Sequence, residues 1–372
     1  MEVLISGNNG FIGSHLKNTL KYKFPKNFKI TDLNKDDFFD NETLDLKVKR
    51  SAVIVHLAGL NRHNDENVLL DTNINLSKSL NESIQRVGYK GKLIFASSIQ
   101  ESINNKYGKS KKIARELFAE SSLNNEFIFV GLIIPNVFGP FGKPNYNSFI
   151  PTFCDKIIGD QSFKIISNSK IKLIYIENLI KELVKEITTK NSDHKKKIEE
   201  DIKISVNEVK EKLIKFKSLY LEQNIIPNLN DKFDLNLFNT FRSYINYEQF
   251  FPRKYINNTD DRGNFVEILK SKSKGQYSYS TTRPGVTRGD HFHMRKIERF
   301  SVIKGQSLIQ LRKIGSKKII EFKLSGDNPS FIDMPIWYTH NIKNIGEEDL
   351  ITLFWINEAY DSNNPDTYIE KV

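Results

Sequence analysis

MEVLISGNNGFIG, residues 1–13, decides the first half of the fold. Val3, Leu4 and Ile5 form a compact apolar run, and Gly7, Gly10 and Gly13 follow at the spacing that turns a strand into a helix. Glycines there permit a tight turn and close backbone approach, so a pyrophosphate can rest on the N-terminus of the helix that Phe11 and Ile12 open. Further runs at 52–55, 92–95 and 127–130 are apolar on both faces, as the strands of a parallel sheet covered on two sides must be. Residues 69–87 and 109–119 between them carry helical patterns. Strand alternating with helix predicts a doubly wound parallel α/β sheet. Residues 148–188 and 205–247 read as mostly helical, with the charged stretch TTKNSDHKKKIEED between them as a loop.

After Phe251-Pro252 the pattern changes to strand-like pieces of five to eight residues separated by Gly, Asp, Asn and Pro, at 276–282, 300–303, 307–312, 319–324 and 351–356. Short strands with frequent turns predict an antiparallel all-β barrel or sandwich. A chain of 372 residues is long for one domain, and the change of pattern divides it into domains 1–247 and 248–372. The net charge of +11 comes from lysine-rich stretches such as Lys195-Lys196-Lys197, which suits anionic substrates; aromatics do not interleave with them as on a nucleic-acid platform. No nucleic-acid or membrane partner is expected. The single cysteine, Cys154, excludes an intrachain disulfide and suits a reducing compartment. The first residues run straight into a strand and no stretch approaches eighteen apolar residues, so the expectation is a soluble, cytoplasmic protein.

Tyr107-Gly108-Lys109-Ser110-Lys111 places a phenol and an ammonium at i and i+4, on one helix face. The ammonium is expected to lower the phenol's pKa toward the working range of a proton donor. Ser97-Ser98 ends the fourth strand just upstream, where a hydroxyl can hydrogen-bond a substrate carbonyl. Tyr107 would then protonate that oxygen as a hydride arrives from a nicotinamide. The second strand ends at Thr31-Asp32; an acid there favours NAD through the ribose hydroxyls, while Lys35 leaves room for the 2′-phosphate of NADP.

GVTRGDHFHMRKIERFSVIKG, residues 285–305, carries His291 and His293 two apart, so that on a strand they share a face. The alternation of Glu298, Phe300 and Val302 turns Glu298 inward, and His340 follows after Pro335. Three imidazoles and a carboxylate inside a barrel suit zinc, iron, manganese, nickel or copper. Four protein donors can close a structural tetrahedral site; with one position open the ion can serve as a Lewis acid.

On GNNGFIG, HLAG at 56–59, Asn73, Ser97-Ser98, YGKSK and PNVFG at 135–139, the first half resembles the extended short-chain dehydrogenase/reductase family with its Rossmann-like sheet. The resemblance implies Ser98, Tyr107 and Lys111 as the catalytic trio. It implies a cofactor site of Gly7, Gly10, Phe11, Ile12, Gly13, Asp32, Leu57, Ala58, Gly59 and Asn73, with Tyr107 and Lys111. Two departures stand out. Only eight residues separate Ser98 from Tyr107, and Leu132-Ile133-Ile134 replaces the arginine often found before PNxFG. The second half resembles the cupin superfamily: Gly285, His291, His293, Glu298 and Gly305 match its first motif, and Pro335, His340 and Asn344 part of its second, with Trp337 at the usual glycine. His291, His293, Glu298 and His340 carry over as metal ligands.

From HLAGLNR, SSIQ and KPNYNSFIPTFCDKI through DDRGNFVE and YTHNIKNIGEEDLITLFWINE to NPDTY, the whole chain resembles the bifunctional capsular-polysaccharide synthesis enzymes of the CapF (WbjC) type. That resemblance implies a cupin domain that epimerises carbon 3 of a UDP-2-acetamido-2,6-dideoxy-4-hexulose. It implies a reductase domain that reduces carbon 4 to UDP-N-acetyl-L-talosamine, in UDP-N-acetyl-L-fucosamine synthesis for capsule or O-antigen. NADPH, zinc and a homodimer are implied with it. Ser98, Asn136, Asn145, Tyr146 and Asn147 are expected to meet the nucleotide sugar. Tyr338, Lys296 and Arg283 are candidate acid and base residues of the epimerisation, and no spacing selects among them. The alternative is a reductase whose metal-binding barrel is structural and dimerising.

Overall fold

The structure, a computed structural model, describes residues 1–146, 148–165 and 167–372. The chain forms two compact units, Met1–Thr152 with Lys164–Val209 and Phe153–Phe163 with Lys210–Val372.

The first unit alternates β1 (Glu2–Ser6), α1 (Phe11–Lys23), β2 (Lys29–Leu33), α2 (Asn41–Arg50), β3 (Val53–His56), α3 (Glu66–Arg86), β4 (Lys92–Ser98), α4 (Lys106–Asn125) and β5 (Ile128–Ile134). Along the chain follow β6 (Asn136–Phe138), α5 (Phe149–Ile158), β7 (Lys170–Tyr175), α6 (Ile176–Thr188), β8 (Asp193–Lys197) and β9 (Ile202–Ser205). Six strands pair in parallel in the order β2-β1-β3-β4-β5-β8, and β6, β7 and β9 make a smaller sheet. Leu4, Ile54, Leu93 and Phe129 are fully buried among Val48, Leu80, Ile84 and Phe118, which is why these strands read as apolar on both faces. Strand order reverses between β1 and β3, so the loops leaving their carboxyl ends frame the crevice where such sheets bind ligands. Asp40, Asp65 and Asn105 cap α2, α3 and α4 with their side chains, whereas α1 begins at Gly10 with no side-chain cap and no acid in its first turn. Its N–H groups are left for an anion.

The charged stretch expected as a loop contains β8. Ser192 Oγ donates to Phe129 O at 2.9 Å and Ile198 N to Ile133 O at 3.1 Å, which fastens both ends of β8 to β5. The stretch expected to be mostly helical before it is interrupted by β7.

In the second unit come α7 (Val206–Phe216, beginning in the first unit), β10 (Ile225–Ile226), α8 (Lys232–Arg242) and α9 (Tyr247–Phe250). Four short strands follow, β11 (Arg253–Lys254), β12 (Asn257–Asp260), β13 (Gly263–Val266) and β14 (Lys270–Ser271). Then come β15 (Gln276–Thr282), β16 (Thr287–Phe292), β17 (Glu298–Lys304), β18 (Gln306–Lys313), β19 (Ile319–Ser325), β20 (Ser330–Met334), β21 (Tyr338–Asn344), β22 (Leu350–Ile356) and β23 (Tyr368–Ile369). Two antiparallel five-stranded sheets result, β11-β20-β17-β22-β15 and β19-β18-β21-β16-β23. The packing units divide near 209, earlier than the change of sequence pattern near 248. The reason is that the helices after 210 are polar-bonded to the antiparallel part of the second unit. Tyr220 Oη donates to Asp333 at 2.7 Å, Asn239 to Arg295 O at 3.0 Å and Arg242 to Met334 O at 3.0 Å. Asp333 also receives Arg299 at 2.7 and 2.9 Å, both side chains 2% exposed or less. Among the described residues no helix is long and apolar enough to cross a membrane.

Candidate functional site

At the crevice of the parallel sheet lies a cavity of about 1210 Å³. Gly7, Gly10, Phe11, Ile12 and Gly13 line it from the loop after β1, Leu57, Ala58 and Gly59 from the loop after β3, and Ser98 from the end of β4. Tyr107 and Lys111 enter from α4, and Asn136, Asn145 and Tyr146 from the segment after β5. The glycines are needed sterically. Gly7 has φ +69 and a Cβ there would lie 2.8 Å from Ala58 N, while a Cβ on Gly13 would lie 2.1 Å from Gly7 O. Ser6 ties the two loops together, since its hydroxyl accepts from Leu57 N at 3.0 Å and Ala58 N at 3.1 Å and meets His56 Nδ1 at 2.7 Å. Burial, with Lys111 nearby, pushes that histidine down to about 3, so it is neutral.

Ser98, Tyr107 and Lys111 therefore line the same cavity. Lys111 Nζ donates to Ala96 O at 3.1 Å and lies 5.8 Å from the centre of the Tyr107 ring. Burial pushes Lys111 down to about 8, against the opposing charge of Glu101. Burial, with Tyr146 beside it, pushes Tyr107 up to about 12, which reverses the expected direction: desolvation of the phenolate outweighs an ammonium that does not touch the hydroxyl. Tyr107 is thus a protonated donor at neutral pH. The eight-residue connection from Ser98 is held from below. Ser97 donates its hydroxyl to Glu101, and Arg115 grips both carboxylate oxygens of Glu101 at 2.9 to 3.1 Å, each charged side chain 7% exposed. Gly108 N donates to the Asn105 cap at 2.6 Å, and a Cβ on Gly108 would lie 1.9 Å from Gln100 O.

In the second unit His291, His293, Glu298 and His340 converge, with one ligand atom from each within 4.8 Å of the others. Glu298 Oε2 lies 3.1 Å from His293 Nε2 and 3.2 Å from His340 Nε2, yet these three buried atoms make no hydrogen bond of acceptable geometry. The other ring nitrogens explain why. His293 Nδ1 bonds to Asp366 O at 2.6 Å, His340 Nδ1 to Tyr338 O at 3.1 Å, and His291 to the backbone of Gly289. A proton on each Nδ1 leaves the Nε2 lone pairs of His293 and His340 facing a carboxylate oxygen, an arrangement that suits a cation between them. The donor set fits a divalent transition metal.

Residues 3–200 match the NAD dependent epimerase/dehydratase family, and residues 258–368 match the polysaccharide biosynthesis C-terminal domain. The chain is 33% identical to a UDP-2-acetamido-2,6-beta-L-arabino-hexul-4-ose reductase of Pseudomonas aeruginosa, over 99% of this chain and 98% of that one. The chain belongs to the NAD dependent epimerase/dehydratase family. Among solved structures it is similar to the capsular polysaccharide assembling protein CapF of Staphylococcus aureus, at 32% identity, TM-score 0.62 and full coverage of both chains. MoeE5, solved with UDP-glucose and NAD, is 19% identical with TM-score 0.53 over 59% of this chain and 82% of its own, and shows the fold alone.

Two residues expected at the cofactor of this epimerase/dehydratase family member lie off the cavity wall. Asp32 is paired with Lys17 at 2.5 Å, its backbone carbonyl accepts from Lys47, and it does not line the cavity. Asn73 braces the loop after β3 instead, through Leu60 N at 2.7 Å, Leu60 O at 3.0 Å and Ser110 Oγ at 3.1 Å. Asn147 lies outside the described residues. Tyr146 Oη accepts from Asn61 N at 3.4 Å, which links the loop after β3 to the segment carrying Asn145. Arg62, His63 and Lys143 also line the cavity and were not singled out from sequence; they sit inside or beside HLAGLNR and KPNYNSF, where a basic residue next to the binding motif was the available signal. Of the epimerisation candidates, Arg283 is exposed, Lys296 is buried and donates to Pro365 O at 2.7 Å, and Tyr338 is half-buried and stacked on Tyr247.

Proposed function

We propose a two-step enzyme acting on a UDP-linked 4-keto sugar. The metal-bearing unit epimerises carbon 3 of a UDP-2-acetamido-2,6-dideoxy-4-hexulose, and the first unit reduces the 4-keto group with NADPH to UDP-N-acetyl-L-talosamine, for UDP-N-acetyl-L-fucosamine and capsule or O-antigen synthesis. The observation that carries the reductive half is that Ser98, Tyr107 and Lys111 line the same cavity as the glycine loop. The likeness to the Pseudomonas UDP-2-acetamido-2,6-beta-L-arabino-hexul-4-ose reductase supports the substrate class.

When bound, the dinucleotide supplies the hydride. Ser98's hydroxyl orients the ketone oxygen, Tyr107 delivers a proton to that oxygen, and the Lys111 ammonium offsets the negative charge that develops beside the phenol. The ketone explains the order of steps. It acidifies the hydrogens on the adjacent carbons, so carbon 3 can lose a proton from one face and regain it on the other; reduction removes the carbonyl and fixes the new configuration. Lys17 already neutralises Asp32, which supports accommodation of a 2′-phosphate and hence NADPH. His291, His293, Glu298 and His340 would hold zinc or another divalent ion, which when bound supplies Lewis acidity. That four protein donors close a tetrahedral shell favours the second reading, a reductase with a structural metal barrel. Tyr277 and Tyr279, 57% and 74% exposed on the edge strand β15, support a homodimer, which light scattering tests.

Incubating the keto sugar with enzyme in deuterated water without a nicotinamide separates the readings: deuterium at carbon 3 is expected, and none there leaves the reductase alone. Adding NADPH or NADH in parallel and identifying the product by NMR tests the reduction and the donor; no oxidation of either cofactor by the keto sugar refutes the reductive half.

A further inference from the structure

We propose that the segment from Asn364 to Glu370 is a clasp for the His/Glu cluster, with Asp366 as its pin, and that the cluster's affinity for a divalent cation depends on it. The inference rests on reading the cluster as a metal site.

The connection between β16 and β17 carries the chain from His291 and His293 to Glu298, so its shape sets the separation of these donors. Asp366 fixes that shape. Its carboxylate, with no side-chain exposure, accepts from three consecutive backbone N–H groups of the connection, Met294 at 3.2 Å, Arg295 at 2.9 Å and Lys296 at 3.1 Å. Its own carbonyl receives His293 Nδ1 at 2.6 Å. A φ of +47 at Asp366 lets one residue present side chain and carbonyl to the same connection, a left-handed conformation that aspartate tolerates better than most residues. One residue thus fixes both the path of the connection and the tautomer of a ligand on it.

The rest of the segment holds the same strands. Lys296 Nζ donates to Pro365 O at 2.7 Å and Arg295 to Asn364 O at 2.8 Å. Tyr368 and Ile369, as β23, pair with Phe292 and His291. Glu370 N donates to Asp290 O at 3.0 Å, and Thr339, next to His340, donates its hydroxyl to Glu370 O. The segment therefore touches His293, pairs with His291, and bonds to the residue beside His340. Groups that orient metal ligands in this way are worth roughly 10- to 100-fold in metal affinity.

The test uses the full chain and zinc, with affinity measured by competition against a chromogenic chelator for the unsubstituted protein, D366N, D366A and H340A. Cobalt substitution adds a visible spectrum that reports donor geometry. Binding in the unsubstituted protein and its loss in H340A are expected; equal zinc in both refutes the metal reading itself. Given that result, a roughly 10- to 100-fold weaker affinity in D366A with an altered cobalt spectrum, and a smaller change in D366N, which keeps one acceptor oxygen, support the clasp. Nicotinamide cofactor binding should be unchanged in both variants. Unaltered affinity in folded D366A overturns the proposal, and if D366A does not fold, unaltered affinity and spectrum in D366N overturn it.

Discussion

Glu101→Gln tests whether the short connection between Ser98 and Tyr107 is held by charge as well as by sterics. The substitution removes the anion that Arg115 grips with three N–H···O contacts of 2.9 to 3.1 Å, at a place where both side chains are 7% exposed. Breaking a buried pair by removing one partner costs roughly 3–5 kcal/mol; glutamine still accepts through its amide oxygen, so the low end, about 3 kcal/mol, is expected as a fall in unfolding free energy by urea titration. The second consequence is electrostatic. The groups around Lys111 are His56 on β3, Phe95 and Ala96 O on β4, Tyr107 on α4 and Glu101 on the connection. Of these only Glu101 carries a negative charge at neutral pH. Lys111 loses its proton as pH rises through about 8, so the rate should fall on that alkaline side. Glu101 raises Lys111, and its removal must move the alkaline limb of kcat/KM to lower pH. Above the limb, each unit of displacement is worth about tenfold in rate. A limb in the same place in the folded variant, or no coupling between Glu101→Gln and Arg115→Met in a double-mutant cycle, would refute the reasoning.

Tyr107→Phe should lower kcat by about 10²–10⁴-fold while cofactor binding is retained, because only the proton donor is lost; fluorescence titration and initial rates check both halves. Gly108→Ala places a methyl 1.9 Å from the Gln100 carbonyl, so the first turn of α4 must shift by about 1 Å, with a loss of about 10²-fold in kcat/KM measured by the same assay. Asp333→Ala strands the buried Arg299 guanidinium and the Tyr220 hydroxyl and should cost about 3–5 kcal/mol of second-unit stability, read from a lowered urea midpoint.

The sheet strands of the first unit were legible because burial on both faces leaves a continuous apolar run, and Gly7 and Gly13 were legible because a Cβ at either would run into backbone, 2.8 Å from Ala58 N and 2.1 Å from Gly7 O. The His/Glu cluster was legible in part. His291 lies on β16 as alternation predicts, but His293 falls just past the strand, and its aim comes from Asp366, a contact across 73 positions that no local pattern records. Asp32 illustrates the reverse case. Its place at the end of β2 was predictable, its partner was not, because Lys17 reaches it from α1. The direction of the Tyr107 shift was misjudged for a similar reason: sequence gives the i, i+4 spacing but not the depth of burial that outweighs the ammonium. Strand β8 was missed because a strand with charged residues at nearly every position has no hydrophobic signature.

That strand also bears on how the molecule survives in a crowded cell. A parallel sheet must end somewhere, and its last strand offers unpaired N–H and C=O groups on which another chain can polymerise. Here the last strand beside β5 is Asp193-His194-Lys195-Lys196-Lys197, alternately exposed and half-buried. A second copy docking in parallel register along that edge would set Lys195, Lys196 and Lys197 against their own counterparts, a like-charge repulsion along the new ladder. Three of the lysines behind the +11 net charge thus lie on a sheet edge, where charge opposes the addition of a further strand.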